Sequence, residues 1–289
     1  MPVYDKSLFH AAMRNGVFYW AAVYGLFQGL VKAYQGQFNE SLHVFEDIMI
    51  LQEEYQWKAP TAYWLASESM LVCRRLREAH SKAGDMIAKA NELGSIATEV
   101  GGLGLRAMAQ LLMKDTIGAK NSLAESEQLR SKQTFWPPYN LAGSLFAQFM
   151  LDLQSLEAAI GGDSRSLVSE CAKAALESGK KTVSNSAKWA AHRMGSYRLM
   201  GVYCWLLGKQ RKAFRWFDKS VREGERLQAR PEVARTYMEM GKRLIEPCSK
   251  SKKHNGISGA EYLEKAGAMF GGMALEWDLD ELERIQREL

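Results

Sequence analysis

About every forty residues this chain interrupts a helical stretch with a turn, and a small side chain stands five residues beyond each interruption. Gly36 is followed by Ser41 and Phe45, Arg74 by Ala79 and Ala83, Lys114 by Ala119 and Leu123, and Gly208 by Ala213 and Phe217. Gly161 and Cys248 continue the series. A small residue soon after a reversal lets the returning helix lie close on the outgoing one, and the residue one helical turn further fills the seam between them. A single hairpin of this length cannot bury its own apolar face, so successive hairpins must stack in order. No stretch alternates apolar and polar residues with β-branched enrichment, and no strand is expected.

The clearest copy runs through Tyr197, Met200, Gly201, Cys204, Gly208, Ala213, Phe217 and Ser220. In this spacing of aromatic, small, Gly, Ala and aromatic residues the chain resembles the tetratricopeptide repeat. Only Cys204, where that family usually has an aromatic, and Ser220, where it usually has Ala, depart from the pattern. The resemblance implies an all-α fold: a right-handed superhelical solenoid of about six antiparallel helix pairs over residues 1–289, with a period of about 40 residues. The pairs expected are 17–35 with 38–54, 60–76 with 79–93, 99–113 with 116–131, 136–158 with 164–183, 187–207 with 209–227, and 230–245 with 257–270. A capping helix over 277–289 would close the array, with Leu279, Leu282, Ile285 and Leu289 on one face and Asp278, Glu281, Glu283, Arg284 and Arg287 on the others. Pro60, Pro137, Pro138 and Pro231 stand at expected helix starts and Pro247 just past a helix end, where a missing N–H costs nothing. The repeat pattern fades over 134–185, where Gly161 is followed by Ser166 and Glu170. The polar stretch Cys248 to Gly256 reads as a mobile insertion between helices.

Charge is mild, at +5 from 38 Lys and Arg against 33 Asp and Glu. The two signs interleave at helical spacing, which suits solvated helix faces better than a nucleic-acid surface. Cys73, Cys171, Cys204 and Cys248 form no CxxC pair, as expected of free thiols in a reducing cytoplasm. The apolar run Val17 to Val31 is too short to span a bilayer and reads as a buried helix, so no membrane contact is expected. Its greasiness at one end of an array suggests a piece cut from a longer chain.

Chemistry is sparse. His10, His43, His80, His192 and His254 form no metal-binding spacing. Gly101-Gly102-Leu103-Gly104 lacks the preceding strand of a dinucleotide loop, and Gly179-Lys180-Lys181-Thr182 lacks the upstream Gly of a P-loop and reads as a solvated helix end. Arg74-Arg75-Leu76-Arg77 and Lys209-Gln210-Arg211-Lys212 fall at hairpin turns, where cations cap helix C-termini; contact with an acidic partner or nucleic acid is the alternative. No catalytic set, cofactor or metal is therefore expected.

What remains is a surface. In the tetratricopeptide family the first helix of each pair lines a concave groove. That resemblance implies partner contacts at Arg198, Val202 and Trp205, at Arg235, Met238 and Lys242, and at Val23, Leu26, Leu30 and Tyr34. The span Gly201 to Trp277, through Arg230-Pro231-Glu232-Val233-Ala234-Arg235-Thr236-Tyr237, Gly241-Lys242-Arg243-Leu244, Ala260-Glu261-Tyr262-Leu263-Glu264-Lys265-Ala266 and Gly272-Met273, is similar to the C-terminal repeat arrays of bacterial signal-transduction ATPases and nucleotide cyclases, the kind to which the maltose-regulon activator belongs. This implies a non-catalytic scaffold or regulatory array that binds a peptide or partner protein in its groove, with an ATPase or cyclase module attached or as a free-standing adaptor. A small-molecule sensor is the alternative, and a nucleic-acid-binding repeat ranks below both.

Overall fold

A computed structural model describes residues 5–56, 60–162 and 164–287. The chain divides into two compact units, one reaching to Phe135 and the other starting at Trp136.

The first unit is a succession of helices: α1 (Lys6–Arg14), α2 (Phe18–Tyr34), α3 (Phe38–Glu54), α4 (Pro60–Val72), α5 (Leu76–Glu92), α6 (Ile96–Leu112) and α7 (Thr116–Arg130). The chain reverses at Gly16, Gly36, Gln56, Arg74, Gly94 and Lys114, and all six have positive φ. Such a left-handed residue just past a helix end turns the chain while satisfying its last carbonyls. Each helix packs on the next, and α2, α4 and α6 also pack on one another in sequence order. The expected hairpin register holds: Ser41, Ala79 and Ala119 are each 1 % exposed or less, and Phe45, Ala83 and Leu123 are buried behind them.

Helix α1 precedes the first expected pair. Asp5 starts it by accepting hydrogen bonds from the N–H groups of Ser7 and Leu8, and its Phe9 and Met13 are fully buried, Phe9 beside Gly25 of α2. Part of the apolar α2 surface is thereby covered, while Tyr19, Trp20 and Phe27 remain exposed. Gly101 to Gly104 lie in mid-α6, where a Cβ on Gly102 would fall 2.7 Å from Ile87, so Gly102 serves helix contact.

The second unit comprises α8 (Pro138–Ile160), α9 (Arg165–Ser186), a 3-10 turn (Ala190–His192), α10 (Arg193–Leu206), α11 (Gln210–Leu227), α12 (Arg230–Ile245), a two-stranded hairpin of β1 (Lys253–His254) and β2 (Ile257–Ser258), α13 (Gly259–Gly271) and α14 (Glu276–Arg287). Helices α8 and α9, α10 and α11, and α12 and α13 pair, and α8, α10 and α12 pack successively. In this core Phe217 of α11 lies against Gly201 of α10, and a Cβ there would fall 2.2 Å from the ring. The large residue occupies the space the small one leaves, as the sequence spacing requires.

The pair expected to diverge turns at Gly161 with an ordinary right-handed backbone (φ −72°), and Ser166 and Glu170 are exposed, so the small-residue register is absent from this turn. Three expectations are corrected here. Gly179 is not at a helix end: it is buried inside α9 against Phe149. The insertion is an ordered hairpin, pairing Lys253 with Ser258 and His254 with Ile257 around Asn255-Gly256, both at positive φ. This two-residue turn matches the right-handed twist of the strands. Finally, Asp278 does not lie on a charged back of the last helix. It is buried, with Leu282 and Ile285 packed on Leu263 beside it. Leu289 and Asp163 lie outside the described residues.

Candidate functional site

The face expected to form a groove is largely committed to internal pairing. Arg235 is 2 % exposed, with Nε and Nη2 on the two Asp278 oxygens at 2.9 and 2.8 Å and Nη1 on Glu232 at 2.9 Å. Burial alone would weaken its hold on its proton, but the two carboxylates outweigh that and keep it firmly charged. Trp205 is 4 % exposed, and its Nε1 donates to Glu246 at 2.6 Å. Neither side chain is presented to a partner, which corrects their placement in a groove. The cause is the arrival of Asp278 from α14 and Glu246 from the end of α12, which give two large side chains internal partners.

Of the remaining expected contacts, Arg198, Val202, Met238, Lys242, Val23 and Tyr34 are partly exposed, and Leu26 and Leu30 are buried. Arg198 pairs with Glu232 at 2.7 Å. Val202 leans on the core of α10 and α11. Met238 packs on the Leu263–Leu282–Ile285 cluster. Lys242 adds to the positive charge that, with Arg243, holds the Glu239 carboxyl below its ordinary range against the opposing pull of burial. In the first unit the Tyr34 hydroxyl reaches the buried Glu68 at 3.5 Å, while Leu26 and Leu30 are core residues.

A different surface of the second unit has the opposite character. Helix α11 carries Arg211, Lys212, Arg215, Lys219 and Arg222 on its exposed side, with no acidic residue in its first turn. Arg211 and Lys212 therefore sit at the positive end of the helix dipole, where cations are disfavoured. The sequence reading assigned this cluster to capping of the preceding helix C-terminus; its backbone position is the first turn of the following helix.

Two of the three acids of α11 are occupied elsewhere; the third, Glu225, is exposed in its last turn. Asp218 accepts from His254 at 2.9 Å and from Asn255 at 3.3 Å, and Glu223 binds Arg193 and Arg226. The hydrogen bond from Arg226, aided by Arg193 and opposed by burial, pulls the Glu223 carboxyl down to about 2. Among the described residues, no carboxylate pairs with Arg211, Lys212, Arg215 or Arg222.

The β-hairpin is anchored along this helix. The His254 ring stacks on Phe214 at 4.4 Å, Tyr262 donates its hydroxyl proton to the His254 carbonyl, and the Gln210 amide clamps Cys248 and Lys250. Two clefts result. One of about 830 Å³ lies between the start of α11 and the hairpin, edged by Lys212, Lys250 and Lys253. The next, about 570 Å³, is floored by Tyr237, Met240 and Ile257. Arg215 and Asp218 border both. Burial, then the nearby Asp218 charge, raises the Tyr262 hydroxyl to about 12, so it stays neutral in the second cleft at ordinary pH.

Among the described residues, no group of three His, Cys, Asp or Glu side chains is placed to hold a metal ion, and no helix is long and apolar enough to cross a membrane. All four cysteines are free thiols. Neither the models of known protein families nor the curated proteins yield a match to this chain.

Proposed function

We propose that the chain is a tetratricopeptide-like repeat module that works by recognition: a non-catalytic scaffold or regulatory array in the cytoplasm that grips a peptide or partner protein. In this reading the helix pairs of each unit coil in the right-handed sense of that family, and an ATPase or cyclase module is the natural companion. The observation that carries it is the register of the hairpins. Small residues at four turns are buried at the positions that the repeat spacing demands, and the first helices of successive pairs pack side by side. Side-by-side first helices build the extended wall on which such repeats hold a ligand. Arg198, Val202, Met238 and Lys242, with Tyr34 in the first unit, are the side chains left to serve it.

The test is selection of displayed peptides on the intact protein, followed by titration of the enriched sequences against Val202→Trp and Lys242→Glu variants. Enrichment of a shared motif whose affinity falls tenfold or more in those variants supports the reading. A selection that enriches nothing, or purified protein that turns over a substrate, defeats it.

A further inference from the structure

We infer that the cationic side of α11, with the two clefts that flank it, is a second recognition surface, built for an extended acidic peptide that carries one apolar anchor. This inference does not rest on the wall formed by the first helices of the pairs.

Arg211 and Arg215 are one helical turn apart, and Arg222 follows two turns later, so all three project from one side of α11. Like charges at this spacing repel, and among the described residues no carboxylate forms a direct ion pair with any of the three: Asp218 is turned to His254 and Asn255, and Glu223 to Arg193 and Arg226, so the cations of this side outnumber the nearby Asp218. Lys212 and Lys253 add charge at the end where the α11 backbone dipole is already positive. Among the described residues, no acceptor meets the N–H groups of Gln210 and Arg211, and no side chain caps α11. An anionic ligand would relieve each of these costs.

The dimensions select the form of the ligand. From Arg211 to Arg222 the helix rises about 17 Å, the reach of about five extended residues. Alternate side chains of an extended peptide lie about 6.6 Å apart, close to the ~6 Å between cations one turn apart. The second cleft then receives an apolar side chain on Tyr237, Met240 and Ile257.

Nucleic acid fits less well. Binding single strands draws on exposed aromatic faces for stacking. Along this lane Phe214 and Tyr262 are buried and His254 covers the Phe214 ring, while the partly exposed Trp216 and Tyr237 already have ring partners in Tyr197 and Tyr262, and Lys219 lies over Trp216.

The experiment is an arrayed library of twelve-residue peptides spanning strongly acidic to strongly basic composition, probed with the full chain and with an Arg211→Glu/Arg215→Glu variant. Both residues are exposed, and circular dichroism verifies the variant's fold. Binding should rise with peptide acidity, fall at least tenfold in the variant, weaken several-fold when the best peptide's apolar residue becomes Ala, and survive Lys242→Glu. Signal indifferent to peptide charge, or unchanged in the double variant, overturns the inference. So does a twelve-nucleotide oligothymidine that binds more tightly than every peptide and is lost in the same variant.

Discussion

Replacing Gly201 by alanine isolates the contact on which the second unit is built. The added methyl would lie 2.2 Å from Phe217 Cε1 and 2.4 Å from Cδ1, and ordinary carbon contacts are about 3.5–4.0 Å. Phe217 cannot swing away, because it is fully buried with Phe214 edge-on at 5.9 Å. The helices α10 and α11 must therefore separate by about an ångström, an overpacking cost of about 1–3 kcal/mol. Against it stands the better helix propensity of Ala, about 1 kcal/mol. The net loss of up to about 2 kcal/mol corresponds to a fall in Tm of up to about 8 °C in a unit of this size. Gly84 is the control, since in α5 nothing lies within 4 Å of its added methyl. There the same substitution shows propensity alone and should stabilise by about 0.5–1 kcal/mol. Chemical denaturation of both variants, and of Gly201→Ala in a Phe217→Leu background, separates the terms. The loss should shrink in the double variant because Leu can yield where the ring cannot. If Gly201→Ala stabilises as Gly84→Ala does, the close packing of α10 on α11 is wrong.

Asp278→Ala removes the bidentate carboxylate from the buried Arg235 and should cost about 3–5 kcal/mol, read by denaturation and by early proteolysis within α14. Lys114 turns the chain at φ +66°, a conformation that costs a side chain about 1 kcal/mol or more, so Lys114→Gly should raise stability by about 0.5–1 kcal/mol in calorimetry. Glu223 has its folded-state value lowered from 4.5 to about 2, so it binds its proton more weakly in the native state than in the unfolded chain. Its contribution is complete above the ordinary carboxylate range and disappears as pH falls from about 4.5 toward about 2. Glu223→Gln should therefore flatten part of the acid limb of a Tm-against-pH curve and lower Tm at neutral pH; an unchanged curve contradicts the assignment.

The turns at Gly36, Arg74, Lys114 and Gly208 were legible because a reversal, a small residue and a large one follow at fixed intervals, and buried packing leaves little latitude at those positions. Helix α1 announced itself in Asp5 and the one-turn spacing of Phe9 and Met13, but the longer apolar run behind it drew the first helix boundary to 17. The hairpin was also readable: Asn-Gly between two short segments is a strong local turn signal, masked here by the lysines around it. Long-range partners were not legible. Nothing local to Arg235 says that Asp278 will arrive 43 residues later to bury it, and nothing near Trp205 announces Glu246. For the same reason an inward-facing offset on a first helix did not distinguish a ligand contact from an internal ion pair. The α11 lane was half visible as Lys209-Gln210-Arg211-Lys212. Its extension to Arg215 and Arg222 required knowing which acids were already taken.

Amide hydrogen exchange of the intact protein, with and without a selected peptide, tests most directly whether this molecule is a recognition module. Saturating ligand should slow exchange in α10, α11, α12 and residues 253–258 while α8 and α9 keep their unliganded rates. Exchange unaltered throughout would contradict a recognition role, and protection confined to α1 through α7 would contradict the roles given to Arg198, Val202, Met238, Lys242 and the cationic side of α11.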